Sequence, residues 1–118
     1  MPIRSKSIYE DAAPDDGVRV LTTNYWPRGV SRERAGTYKR VLAPSRELLR
    51  SFKDAVITWD TFEPQYREQM TGDEQRAVIA EIARQAKRET VTVMCVCKDE
   101  AVCHRRLLRE LIEKEMAG

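Results

Sequence analysis

The chain has 118 residues, 42% of them hydrophobic and 34% charged, with 5 Gly and 5 Pro. That is the size and make-up of one globular domain over residues 1–118, not of a disordered or multidomain chain. Its 21 basic and 19 acidic residues interleave to a net charge of +2, which rules out the large one-signed field that gathers polyanions. No apolar run approaches the roughly 18 residues that cross a bilayer, and the N-terminus lacks the apolar centre of a secretory signal, so a cytoplasmic protein with no membrane partner is expected.

Ile3 to Tyr9 alternates apolar and polar residues, which predicts a strand running into the turn-forming stretch Asp11 to Gly17. Val18 to Thr22 is β-branched and entered from Asp16-Gly17, so it reads as a second strand and a hairpin partner of the first, with Arg19 on the face opposite Val18 and Val20. Pro27 lacks a ladder donor and Gly29 suits a positive φ, so Tyr25 to Gly29 is predicted as a loop. A short helical turn is expected within Ser31 to Tyr38, and a helix begins at Pro44-Ser45-Arg46-Glu47, with Leu48, Leu49 and Phe52 at core spacing. Trp59, Phe62 and Tyr66 lie along one face of a helix over Thr58 to Met70 and read as core. Thr71-Gly72-Asp73-Glu74 matches a capping box ahead of the stripe Val78, Ile79, Ile82, Ala83 and Ala86. Thr90 to Cys97 is β-branched and almost free of charge, as suits a central strand covered on both faces. A final helix carries Leu107, Leu108, Leu111 and Ile112, with Asp99 as its expected N-cap. Helices packed on a sheet whose buried centre is residues 90–97 make an α/β fold.

The chemistry gathers in one turn. Open α/β sheets collect ligands beyond the carboxyl ends of their strands, where loops lead into helix N-termini. Cys97 to Arg105 fills such a turn with Cys97, Cys103, His104 and Arg105, and His104 is the sole histidine of the chain. The odd number of cysteines (Cys95, Cys97, Cys103) argues for reduced thiols. One reading makes Cys103 a reactive thiol and His104 its acid–base partner, with Cys95 as plain core. A second makes Cys95, Cys97, Cys103 and His104 zinc ligands, although no C-x-x-C pair exists and adjacent helical residues point about 100° apart; no metal ligand or cofactor is assigned. A third makes an anion cradle of Arg105 with Arg19 or Arg28 arriving from the Trp26 loop. Cys97 does not open the C-x5-R loop of tyrosine phosphatases and rhodaneses, since Cys103 stands six positions after it.

Asp16-Gly17-Val18-Arg19-Val20-Leu21, Trp26-Pro27-Arg28-Gly29, Leu42-Ala43-Pro44-Ser45, Phe62 with Tyr66, and Cys95-x7-Cys103-His104-Arg105 together resemble the YeaO-like domain-of-unknown-function family of bacteria and archaea, over nearly the whole chain. The resemblance implies a compact α/β domain and brings no activity with it. Its recurring motifs fall on Arg19, Trp26, Pro27, Arg28, Gly29, Cys103, His104 and Arg105. Where the family carries an Asp-Arg pair before Trp-Pro, this chain has Thr23-Asn24.

The expected function is binding of a small anionic ligand between the Trp26 to Gly29 loop and the Cys97 to Arg105 turn. In that reading Cys103 and His104 are the catalytic candidates, and Arg19, Trp26, Arg28 and Arg105 bind the ligand. The alternatives are a non-enzymatic interaction module, nucleic-acid-associated through Arg28, Arg32, Arg34 and Arg40, and a zinc-binding domain. Oligomeric state and enzymatic status stay open at this point.

Overall fold

Four parallel strands in the order β1-β4-β2-β3 organise the protein, seen in a computed structural model that describes residues 3–11, 13–96 and 102–117. The strands are β1 (Ile3–Ser7), β2 (Val18–Leu21), β3 (Thr37–Tyr38) and β4 (Val91–Cys95). The helices are α1 (Arg32–Ala35), α2 (Arg46–Lys53), α3 (Trp59–Gln69), α4 (Asp73–Ala86) and α5 (His104–Ala117). The α/β class follows directly. None of these helices is long and apolar enough to cross a membrane.

β4 is the buried centre that its composition demands: all five residues are inaccessible, because each face of a parallel sheet must be covered. It separates β1 from β2, pairing Ile3 with Val91 on one side and Val18 with Val91 on the other. The hairpin expected between the first two strands is therefore corrected. Both run parallel to β4, and the turn at Asp16-Gly17 merely feeds β2. Gly17 has φ 66°, and a Cβ there would lie 2.1 Å from the Thr90 carbonyl oxygen; the same closeness lets Val18 N–H donate to that oxygen at 2.9 Å.

Alternation along the strands creates two cores. Val20, Val91 and Val93 face α3, α4 and α5, where Phe62, Tyr66, Ile82, Leu107, Leu108 and Ile112 close over them. On the other face Leu21 and Met94 meet Ile8, Val30 and Ala35. The stripe on α4 behaves as its spacing requires, with Ile79, Ile82, Ala83 and Ala86 buried. The capping box does not form. Gly72 is the N-cap of α4, and the Thr71 hydroxyl instead donates to the Glu68 carbonyl at 2.6 Å, closing the preceding helix.

α2 starts as predicted, with Ser45 Oγ accepting from Leu48 N–H at 3.1 Å. It ends on Ala55, the one described non-glycine residue with positive φ, at 60°, and Val56 and Ile57 N–H then return to the Ser51 carbonyl. A left-handed residue after a helix is usually glycine because a Cβ there crowds the carbonyl. Ala55→Gly is therefore expected to stabilise the protein by about 0.5–1 kcal/mol, read as a rise in the urea midpoint at unchanged slope; no rise would show the turn to be unstrained.

Candidate functional site

The site grows from the carboxyl end of the sheet, on the face that carries α5. Val91, Val93 and Cys95 share that face by alternation, so the last residue of β4 presents its sulfur to the first turn of α5. There Cys95 Sγ lies 2.7 Å from Cys103 Sγ. Both cysteines are buried thiols. Arg105, only 2% exposed, donates from its guanidinium toward Cys95 Sγ at 3.3 Å and Cys103 Sγ at 3.8 Å.

His104 is fixed from the neighbouring strand. Its Nε2 lies 2.8 Å from the Thr22 carbonyl oxygen and 3.1 Å from Thr22 Oγ1, whose own proton goes to the Met94 carbonyl. A carbonyl only accepts, so Nε2 carries a hydrogen, and in the neutral ring Nδ1 then carries the lone pair. That Nδ1 faces Cys103 Sγ at 3.9 Å. The imidazole is thereby set as a proton acceptor for a thiol. Beneath it the Tyr66 ring packs at 5.6 Å, its hydroxyl donating to the Leu42 carbonyl at 2.8 Å. Burial, reinforced by the Cys103 and Cys95 sulfurs, holds the Tyr66 pKa well above the ordinary phenol value, so Tyr66 stays a neutral donor.

A cavity of about 30 Å³ opens on Cys95 and His104, lined also by Thr23, Asn24, Tyr25, Pro44, Leu49, Lys53 and Val96. Outside it runs a groove of about 390 Å³ lined by Asn24, Tyr25, Arg46, Leu49, Arg50, Lys53 and Asp54. The two share Asn24, Tyr25, Leu49 and Lys53 as a common wall. Thr23 and Asn24 are clamped in place: Thr23 Oγ1 donates to the Tyr25 carbonyl at 2.5 Å, and Asn24 Nδ2 donates to the Pro44 carbonyl. Arg46, Arg50 and Lys53 make no salt bridge among the described residues, so their charge is turned toward solvent and the groove, moderated by Asp54.

The residues singled out from sequence divide into two places. Cys103, His104 and Arg105 come together as a cluster. Arg19 does not join them. It projects on the opposite face of the sheet, with its guanidinium 2.5 Å from Asp16 Oδ2 and its Nε donating to the Arg34 carbonyl. Trp26 turns the same way, edge-on to Tyr38 at 5.5 Å with Nε1 donating to the Val30 carbonyl at 2.7 Å. Arg28 is exposed, its carbonyl accepting from Tyr9 Oη at 3.5 Å. The hollow expected between the Trp26 to Gly29 loop and the last cysteine is thus walled instead by residues 23–25. Cys97 and Asp99 lie outside the described residues.

Cys95, read from sequence as simple core, is the sulfur that meets the cavity, and its signal was its place as the last residue of the central strand. Thr22, Lys53, Arg46 and Arg50 carried no local signal at all. Cys103 precedes α5 and is not within it, so the 100° divergence expected of adjacent helical residues does not apply. Ligand atoms of Cys95, Cys103 and His104 fall within 4.8 Å of one another, a donor set that could hold a soft metal ion. The Arg105 guanidinium against both sulfurs puts positive charge where such an ion would sit. Protein purified without chelator is accordingly expected to hold less than about 0.1 zinc per chain by elemental analysis; one zinc per chain would make the cluster a metal centre.

The family model DUF488-N3a, described as the active DUF488-N3 subclade, matches residues 3–116. The uncharacterized protein Rv3073c of Mycobacterium tuberculosis is 31% identical over 112 residues, covering 93% of this chain and 92% of the relative. The uncharacterized protein YeaO of Escherichia coli is 29% identical over 112 residues, covering 93% and 96%. No solved structure matches.

Proposed function

This chain belongs to the DUF488-N3a family, the YeaO-like domains of unknown function, and from that premise we propose that it binds a small anion in the groove along α2 and presents it to a thiol at the groove's inner end. The observation that carries the reading is the common wall of the two hollows: Arg46, Arg50 and Lys53 line the outer one, and Cys95 and His104 line the inner one. Basic side chains gather and orient an anion. A guanidinium beside a sulfur stabilises negative charge on it, and an imidazole nitrogen facing a thiol accepts its proton. The description of the subclade as active is in keeping with a working site rather than a docking surface. Within this reading Cys95 takes the place of Cys103 as the atom nearest the ligand, Cys103 and Arg105 stand behind it, and Arg19, Trp26 and Arg28 belong to the other face.

The test is titration of the reduced protein with inorganic phosphate, followed through the backbone amide resonances of Asn24, Tyr25 and Arg50. Saturable shifts confined to the groove are expected. Arg50→Glu should weaken the affinity about tenfold, the effect of losing one cation and adding one like charge at a partly solvated site. Absence of saturation at tens of millimolar phosphate, or shifts centred on Arg19 and Arg28, would overturn the reading.

A further inference from the structure

We infer that Cys95 and Cys103 act as a redox pair that reduces a small hydroperoxide: Cys95 attacks, and Cys103 resolves the product to an intramolecular disulfide. Two thiols in contact at 2.7 Å, with a guanidinium against both and an imidazole nitrogen facing one, are more than core packing needs. A buried cysteine in a core is surrounded by apolar groups and is inert. Here the sulfurs adjoin the donors that stabilise a thiolate and take up its proton. The inference rests on the cavity at Cys95 described above as the inner end of the anion path, although it does not depend on an anion being bound there.

The roles follow from access. Cys95 lines the cavity, whereas Cys103 does not, so the incoming molecule meets Cys95 first. The cavity, at about 30 Å³, has room on the scale of a water molecule. Hydrogen peroxide fits such a space, and a bulky organic hydroperoxide or an aromatic disulfide does not. Small size is therefore the selective feature of the oxidant.

The Cys103 thiol proton passes to His104 Nδ1 and the Cys95 proton to Cys103, leaving Cys95 as thiolate. That sulfur attacks one peroxide oxygen, the O–O bond breaks, and Cys95 becomes a sulfenic acid while the departing hydroxide takes the imidazolium proton and leaves as water. Cys103 then gives its proton to Nδ1 and attacks the Cys95 sulfur. The S–O bond breaks, the departing hydroxide receives that proton, and the disulfide forms with a second water. Two thiols lose two electrons in all, and one peroxide is reduced to two waters.

The test begins with the reduced, full-length wild-type chain and one equivalent of hydrogen peroxide. Intact mass should fall by about 2 Da, the two hydrogens lost on disulfide formation, with peptide mapping placing the bond between Cys95 and Cys103, in wild type and in Cys97→Ser alike. Cys103→Ser should accumulate a Cys95 sulfenic acid captured by dimedone, and Cys95→Ser should leave Cys103 at least about tenfold slower to oxidise. Cumene hydroperoxide should oxidise the folded wild type at least about tenfold more slowly than hydrogen peroxide, a gap that closes in denaturant. A bond mapped to Cys97, no mass loss, or equal rates for the two peroxides in the folded protein would each overturn the pairing. Because the first measurement uses wild type, misfolding of a variant leaves the outcome decisive. Phosphate binding by the reduced protein without disulfide formation would defeat this inference alone, and disulfide formation without phosphate binding would defeat only the anion reading.

Discussion

Asp16→Ala is expected to lose on the order of 3–5 kcal/mol of stability, the usual consequence of removing one partner from a buried charge cluster. The carboxylate is 1% exposed and joins three donors: Lys6 Nζ at 3.1 Å, the Arg19 guanidinium at 2.5 Å and Ala13 N–H at 2.9 Å. Without it, Lys6 and Arg19 keep their charges in a mostly dry corner, and the turn that feeds β2 loses its clasp. Burial alone would raise the Asp16 pKa; the Ala13 hydrogen bond, Lys6 and Arg19 outweigh it and hold the pKa below its ordinary value. The unfolded chain therefore binds the proton more readily than the native one, and stability falls as pH falls. The Asp16 contribution is complete above the unfolded value near about 4 and is lost as pH drops through the lower native value. Urea unfolding of wild type and Asp16→Asn should accordingly show a constant gap from pH 7 to pH 5 that narrows below about pH 4. A gap that widens in acid would refute the assignment.

That cluster also explains why one part of the site was misplaced from sequence. Arg19 looks like a guanidinium open to a ligand only if Asp16, three residues earlier, is read as turn chemistry alone. Read as a counter-ion, it removes Arg19 from any ligand site. The elements themselves were accessible because their signals are local: the α4 stripe, the Ser45 cap, the uncharged run of β4. Strand neighbours were not, since inserting β4 between β1 and β2 depends on contacts more than 70 residues apart, such as Val18 with Val91. The turn at Cys103 to Arg105 announced itself by its density of reactive groups. Its counterparts Thr22, Lys53 and Arg46 are ordinary residues made relevant only by the fold, and Cys95 was hidden by the same apolar alternation that places it.

Arg105→Met is expected to leave the protein folded while slowing the reaction of Cys95 with hydrogen peroxide about a hundredfold. Methionine keeps much of the buried volume. What disappears is the charge 3.3 Å from Cys95 Sγ and 3.8 Å from Cys103 Sγ. At an effective dielectric constant of about 20, a unit charge pair at that separation interacts by roughly 5 kcal/mol. A hundredfold rate change needs about 2.7 kcal/mol, so even half of that interaction, expressed in the attacking thiolate, is sufficient. Arg105→Lys should recover part of the rate, because an ammonium supplies the charge without the planar fork that reaches both sulfurs at once. Competition kinetics against a reference peroxide scavenger, with circular dichroism to establish folding, separates the outcomes. A folded Arg105→Met protein that reacts at the wild-type rate would mean that the guanidinium serves the packing of α5 against β4 and takes no part in the chemistry of the sulfurs.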